Sequence, residues 1–297
     1  MINTYFLKKA HTILREPTHF QISLYCFFLV VVAISIYANS LSNGFVFDDI
    51  SMIQQNPDVV NFKWERVLSL NSYRPLRTLT YALNYGLGGL DPFGYHLFNI
   101  LLHAFNSVLV FLFLRLILEN INSSFLGGIL FAIHPVQTAS VAYISGRKDL
   151  LATFFLLLSV YWFVKWRRVG GWGRLILMGC AIFLAILSKE VAVIFPLLLL
   201  LLDLCVIRVH GVVRKTTLLA ETIKAGALFY TLVLAFAVLA LYYAIVWTEA
   251  SRMDGYWGDN LLNQWGTSFK LFVHYLKLAF VPYPLIADYT GVFPVST

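Results

Sequence analysis

Charge is what this sequence has least of. Of its 297 residues, 12% are charged and 59% hydrophobic, where soluble proteins carry about 25% charged and roughly 45–50% apolar residues. That balance excludes a soluble globular domain and a disordered chain, and leaves an integral membrane protein. Cysteine is scarce as well. Cys26, Cys180 and Cys205 all lie inside apolar runs, an odd number at spacings that match neither a zinc site nor a disulfide framework. The formal charge of +7 comes from bases scattered between apolar segments. No basic domain exists, so nucleic acid is excluded as a partner. There is no repeat with a period of about 20–50 residues and no low-complexity tract.

What the chain does have is long apolar runs, at 20–38, 96–117, 125–144, 150–166, 174–190, 191–207, 226–247 and 269–281. They predict an all-α, polytopic helical membrane protein with about eight crossings, one per run of about 20 apolar residues. The first run, from Phe20 to Ala38, follows a basic N-terminus and is long enough to be an uncleaved anchor rather than a signal peptide. With the N-terminus inside, Lys8, Lys9, Arg15, Arg115, Lys165, Arg167, Arg168, Arg174, Arg208, Arg214, Lys215 and Lys224 fall on one side, which the positive-inside rule makes cytoplasmic. The expected organisation is a cytoplasmic segment 1–19, a membrane domain 20–290 with its first outer loop at 42–95, and a short tail 291–297.

The chemically interesting clusters then share the outer face. In NGFVFDDISM, Asp48 and Asp49 leave the first crossing together. In SYRPLRTLTYALNYGL, Pro75 suits a first helical turn, and Arg74, Arg77, Tyr81 and Asn84 form one row of an interfacial amphipathic helix. Guanidiniums suit phosphate because their planar fork donates two parallel hydrogen bonds; snorkelling to lipid headgroups is the alternative. In HLFNILLHAFN, the residues His96, Asn99, His103 and Asn106 make a narrow helical stripe that belongs in the bundle interior. The deeper pair reads as interhelix hydrogen bonding and His96 as an outer-cavity residue. In FAIHPVQTASVAYISGRKDLL, Pro135 should bend the crossing and Asp149 should cap the next helix. His134 and Asp149 fall at the outer cavity, and Arg147 and Lys148 stand at the outer surface as an anion site or a solvated turn. Lys189 and Glu190 of LSKE form a further outward turn. Carboxylates beside a ring of bases at a lipid interface suit transfer of a group activated on a lipid phosphate. One carboxylate, Asp48 or Asp49, takes the acceptor's proton, while Arg74, Arg77, Arg147, Lys148 and Lys189 hold the departing phosphate. A divalent cation such as Mg or Mn, bridging Asp48 or Asp49 to the phosphate, is compatible with that layout.

Taken in order, FDD, YRPL, LDPFGYHLFNILLH, HPVQT, ISGRKDLLA and LSKE followed by VAVIFPLLLLLLDL resemble the membrane half of the transmembrane and tetratricopeptide-repeat proteins and their bacterial relatives. These belong to the C-type (GT-C) superfamily of membrane glycosyltransferases, together with the protein O-mannosyltransferases. The resemblance covers about residues 20–290. It implies inverting transfer of a sugar, mannose or another hexose, from a polyprenyl-phosphate donor in the membrane lipid to a hydroxyl acceptor, including Ser or Thr of exported proteins, on the periplasmic or lumenal side. It also implies that Asp48 and Asp49 are the catalytic pair. Two departures stand out. Ala139 replaces the acid of the family's HPxxTE pattern, and the relatives continue into more helices and a repeat array, so a truncated or impaired scaffold relative is one alternative. A transporter or flippase for a lipid-linked or anionic solute is another. The bacterial inner membrane is the expected location, with the endoplasmic reticulum membrane as the alternative.

Overall fold

The structure is a computed structural model that describes residues 18–67, 74–118, 120–203, 238 and 261–285. Helix α1, His19–Tyr37, starts at a capping box in which Thr18 Oγ1 accepts from the Gln21 amide at 3.2 Å and the Gln21 side chain accepts from the Thr18 amide at 3.0 Å. Two of the helix's orphan donors are thereby satisfied. A 3-10 turn, Ala38–Ser42, and a π turn, Ile50–Gln54, lead into short helices α2 (Pro57–Val60) and α3 (Trp64–Val67). Helix α4 spans Pro75–Gly88 with Pro75 in its first turn, as the sequence predicts. Then come α5 (Pro92–Leu118), α6 (Ile121–Ile133), α7 (Thr138–Val141), α8 (Arg147–Val169), α9 (Trp172–Ser188), α10 (Phe195–Leu202) and α11 (Leu261–Phe280). No strand occurs among the described residues.

Three segments are long and apolar enough to cross a membrane: His19–Ser42, Pro92–Leu118 and Ile144–Val169. A fourth forms if α6 is joined to Pro135–Val141 across a bend of 46°. That break lies where Pro135 removes a helical donor and clashes with the preceding turn. Of the eight crossings the sequence predicts, the described residues hold three full spans, or four if the bent pair counts as one. Trp172–Ser188 and Glu190–Leu202 are apolar but shorter, because Lys189 and Glu190 interrupt the run. Seventeen residues of α9 at about 1.5 Å each reach roughly 26 Å, short of a hydrocarbon layer of about 30 Å. The predicted crossing at 226–247 lies outside the described residues, apart from Val238. Helix α11 covers the one predicted at 269–281 but does not reach the hydropathy of the other spans.

Helices α1, α5, α6, α8 and α9 pack as neighbours, with α10 against α8 and α4 across the ends of α5, α8 and α9. One apolar cluster joins Phe163, Trp166, Met178, Ile182, Phe195 and Leu199 of α8, α9 and α10. A second joins Tyr37, Ile100, Val141, Leu150 and Leu151. Phe20, Phe27, Phe28, Ile176 and Phe183 point outward, as side chains facing lipid should.

The polar stripe on α5 lies wholly inside the bundle. The Asn106 side-chain amide donates to the Leu150 carbonyl at 3.1 Å, and His103 Nε2 lies 3.1 Å from the Ala132 carbonyl. Each fastens α5 to a neighbouring helix, because an unsatisfied polar group in an apolar bundle costs several kcal/mol. Charge gathers at the two ends of this bundle. At one end the Arg167 guanidinium meets Asp203 at 2.7 Å and Arg168 donates to the Leu116 carbonyl. Every outer-face cluster named from the sequence sits at the other end.

Candidate active site

The aspartate pair divides into two different residues. Asp49 is 0% exposed. Its Oδ1 accepts from the Ser145 amide at 2.8 Å and from the Ser145 hydroxyl at 2.6 Å, and its Oδ2 accepts from the Val46 amide at 3.1 Å. Asp48 is exposed. Its backbone amide donates to the Tyr143 hydroxyl at 3.1 Å, leaving its carboxylate facing outward from a fixed backbone. Between Val46 and Asp48, Phe47 adopts a left-handed φ of 48°, rare for a bulky residue. Strain of this kind persists only where surrounding contacts over-determine the backbone. Here the Asp49 and Tyr143 hydrogen bonds do so, and the Phe47 ring packs edge-on to Tyr143 with centroids 6.4 Å apart.

The floor under this turn is ISGRKD. Gly146 is required because a Cβ there would meet Ser140 backbone atoms at 2.5 to 2.8 Å. That contact lays the turn before α8 directly on α7. Arg147 corrects an expectation. Rather than standing at the surface, it is 0% exposed and each guanidinium nitrogen engages the protein. Nε donates to Asn99 Oδ1 at 2.9 Å, Nη1 to Asn84 Oδ1 at 2.6 Å and to the Thr80 carbonyl at 3.1 Å, and Nη2 to the Tyr95 carbonyl at 2.9 Å. The Phe98 and Tyr81 rings lie 4.4 and 4.7 Å from its central carbon. A buried cation must be hydrogen-bonded, and Arg147 bonds through all three guanidinium nitrogens; it ties α4, α5 and α8 together and is closed off from solvent. Asn99 completes the knot by donating to the Tyr143 and Ile144 carbonyls at 3.1 and 3.3 Å.

Around Asp48 lie the remaining bases. Lys148 is half-buried and has no hydrogen-bond or ion-pair partner among the described residues, with Arg74, Asp149, Lys189 and Asp48 within electrostatic range. Arg74, itself at a left-handed φ of 57°, sends Nε and Nη2 to the two carboxylate oxygens of Glu190 at 2.8 and 2.6 Å. Lys189 pairs with Asp149. Asp149 therefore sits in the first turn of α8 and clamps α9's end, instead of capping the helix as its sequence position suggests; the cap position belongs to Gly146. Arg77 is buried with its guanidinium 5.8 Å from the Tyr81 ring centroid. Tyr81 is buried and donates to the Ile144 carbonyl at 3.2 Å, and burial pushes its hydroxyl pKa up to about 12. His96 is buried within electrostatic range of Asp49, its ring beside the Asn43 and Gly44 backbone. His134 is half-buried and its Nδ1 accepts from the Val136 amide at 3.3 Å, capping the turn at Pro135.

The structure thus brings Asp48, Asp49, Arg74, Lys148, Asp149, Lys189 and Glu190 to one end of the bundle, with Arg147, Tyr81 and His96 beneath them. Sequence reasoning missed Tyr143, Ser145 and the ligand role of Asn84. Ser145 beside the glycine of ISGRKD was the one legible signal, because a hydroxyl next to a forced turn is well placed to bond a distant carboxylate. As for a divalent cation, the donor set does not fit one. Both Asp49 oxygens already accept from N–H and O–H donors, Asp48 is a single ligand, and no group of three His, Cys, Asp or Glu side chains converges among the described residues.

A family model described as dolichyl-phosphate-mannose-protein mannosyltransferase matches residues 50–256. The chain belongs to that mannosyltransferase family. The match takes in the ISGRKD and LSKE turns and begins one residue past the aspartate pair. Human protein O-mannosyl-transferase TMTC2 is 36% identical over 178 residues, covering 54% of this chain and 21% of that protein. Protein O-mannosyl-transferase Tmtc2 of Drosophila melanogaster is 35% identical over 226 residues, 69% of this chain and 24% of that one. Tmtc1 of the same fly is 37% identical over 188 residues, 59% and 22%. The aligned part of this mannosyltransferase-family chain spans between a fifth and a quarter of those relatives. No solved structure matches it.

Proposed function

We propose that this chain is the membrane domain of a GT-C glycosyltransferase that moves mannose from a polyprenyl-phosphate donor to a protein hydroxyl on the non-cytoplasmic side. The observation that carries this reading is Asp48: an outward carboxylate on a backbone pinned by Tyr143 and Ser145, with the Lys148 ammonium, unpaired among the described residues, in electrostatic range. The family description and the relatives' names support the sugar and the protein acceptor. Residues 20–290 would form one membrane unit of about eight crossings, in a bacterial inner membrane or the endoplasmic reticulum.

In the reaction the acceptor Ser or Thr oxygen attacks the anomeric carbon of the sugar while Asp48 takes its proton. The bond from that carbon to the phosphate oxygen breaks, and the electron pair leaves with polyprenyl phosphate. Inversion follows because nucleophile and leaving group occupy opposite faces of the carbon. Lys148 holds the charge developing on the phosphate, and Lys189 and Arg74 add to the field. Arg77 lies further in, and Arg147 acts only by fixing the floor. Ala139, exposed on α7, supplies no acid, and the proton is assigned to Asp48. No step passes through a metal.

The test is transfer of radiolabelled mannose from dolichyl- or undecaprenyl-phosphate mannose into protein by membranes carrying the chain. Lys148→Ala should cut the rate per unit enzyme by about 10-fold or more. Transfer that needs no polyprenyl-phosphate donor, or that is indifferent to Lys148, contradicts the reading.

A further inference from the structure

We infer that Glu190 is a built-in competitor for the donor's phosphate: its carboxylate occupies the bidentate face of Arg74 and is displaced when a lipid phosphate binds. This rests on the proposed function and extends it to how the site is gated.

The geometry is specific. Arg74 Nε and Nη2, the edge of the guanidinium that recognises carboxylate or phosphate in a two-pronged fashion, both go to Glu190, at 2.8 and 2.6 Å. The Arg74 side chain is 10% exposed and the Glu190 side chain 53% exposed. The base is therefore built in while its partner stands in solvent, able to swing away at little desolvation cost. Arg74 is held by its left-handed backbone and by Pro75, which starts α4. Glu190 follows the extended Lys189 at the break between α9 and α10 and opens a short 3-10 turn, a segment with fewer backbone restraints than either helix. The neighbouring charges do not need Glu190. Lys189 is neutralised by Asp149, and Lys148, within electrostatic range of Arg74, gains from any second anion that arrives.

Charge bookkeeping gives the competitor a purpose. Arg74, Lys148 and Lys189 balance Asp48, Asp149 and Glu190 in this cluster, which carries one positive charge in excess only when Glu190 swings away. A polyprenyl-phosphate sugar is a phosphodiester with one negative charge. Breaking its bond to the sugar leaves polyprenyl phosphate, a monoester with up to two. Without an internal rival, the cluster would hold product more tightly than substrate. Return of Glu190 to Arg74 as the product leaves offsets that excess and promotes release.

The experiment uses the whole chain in phosphatidylcholine nanodiscs, titrated with undecaprenyl phosphate, undecaprenol or phosphatidylglycerol and followed by native mass spectrometry. Glu190→Gln should bind undecaprenyl phosphate about fivefold more tightly than the natural chain, in line with loss of one partly exposed ion pair. Undecaprenol binding should not change. Glu190→Asp, which keeps the charge but shortens the reach, should shift affinity the same way by less, and it serves if the Gln variant fails to fold. Wild-type affinity or weaker in these variants, while the natural chain binds undecaprenyl phosphate, makes Glu190 a structural tie and overturns the inference. If the natural chain binds undecaprenyl phosphate no better than undecaprenol, the donor reading itself falls and takes the latch with it. An equal gain for phosphatidylglycerol supports the latch but assigns the seat to lipid headgroups in general, contradicting the polyprenyl donor.

Discussion

At the scale of single residues, the division between Asp48 and Asp49 governs the chemistry. Asp49 accepts three hydrogen bonds in a closed pocket, so Asp49→Asn turns one accepting oxygen into a donor facing another donor. About 1–3 kcal/mol of stability should be lost, visible as a lower Tm in detergent by tryptophan fluorescence. Arg147→Lys should cost more, about 2–4 kcal/mol, since one ammonium cannot reach the four acceptors that a guanidinium fork spans; an unchanged Tm would refute its role as the knot. Tyr81 adds a pH signature. Its hydroxyl pKa is raised from the ordinary 10.0 to about 12 because burial disfavours the phenolate. The folded form therefore binds the proton more tightly than the unfolded chain does. The associated stability is complete below pH 10 and is lost as pH rises toward 12. Tyr81→Phe should flatten that alkaline slope in a series of thermal melts. None of these partnerships could be read from sequence. Asp49 and Ser145 are 96 positions apart and Arg74 and Glu190 are 116 apart; a single sequence shows which residues want partners but not which partner each receives.

At the scale of elements, legibility was better. Pro75 marked the start of α4, the row of His96, Asn99, His103 and Asn106 marked the buried side of α5, and Pro135 marked the break after α6. In each case a local rule of backbone or periodicity was enough. The crossing count was less legible because apolar length alone does not separate a full span from the shorter α9 and α10, which meet at a charged turn. Gly146 offers the sharpest test at this scale. Its missing Cβ lets the turn before α8 touch the Ser140 backbone, and Gly146→Ala must push α7 and α8 apart. A loss of about 1–3 kcal/mol is expected, together with a fall in transfer activity, because Tyr143 and Ser145 on that turn position the Asp48 backbone.

For the whole molecule, the bundle has two charged ends of different character. One carries the buried Arg167 and Asp203 pair, and the other carries the carboxylates and bases around Asp48. If these ends lie on opposite sides of the bilayer, Ser51→Cys should react with a membrane-impermeant maleimide in intact cells, and Arg174→Cys only after permeabilisation. Labelling of both from the same side would contradict the topology.

The most direct test of the central claim is the rate of mannose transfer by Asp48→Asn, measured beside its Tm in the same membranes. The side chain faces outward, so no loss of Tm is expected, while transfer should fall by about 100-fold or more as the general base is removed. Transfer at the natural rate, or a loss that only tracks unfolding, would contradict the assignment of Asp48 as the base.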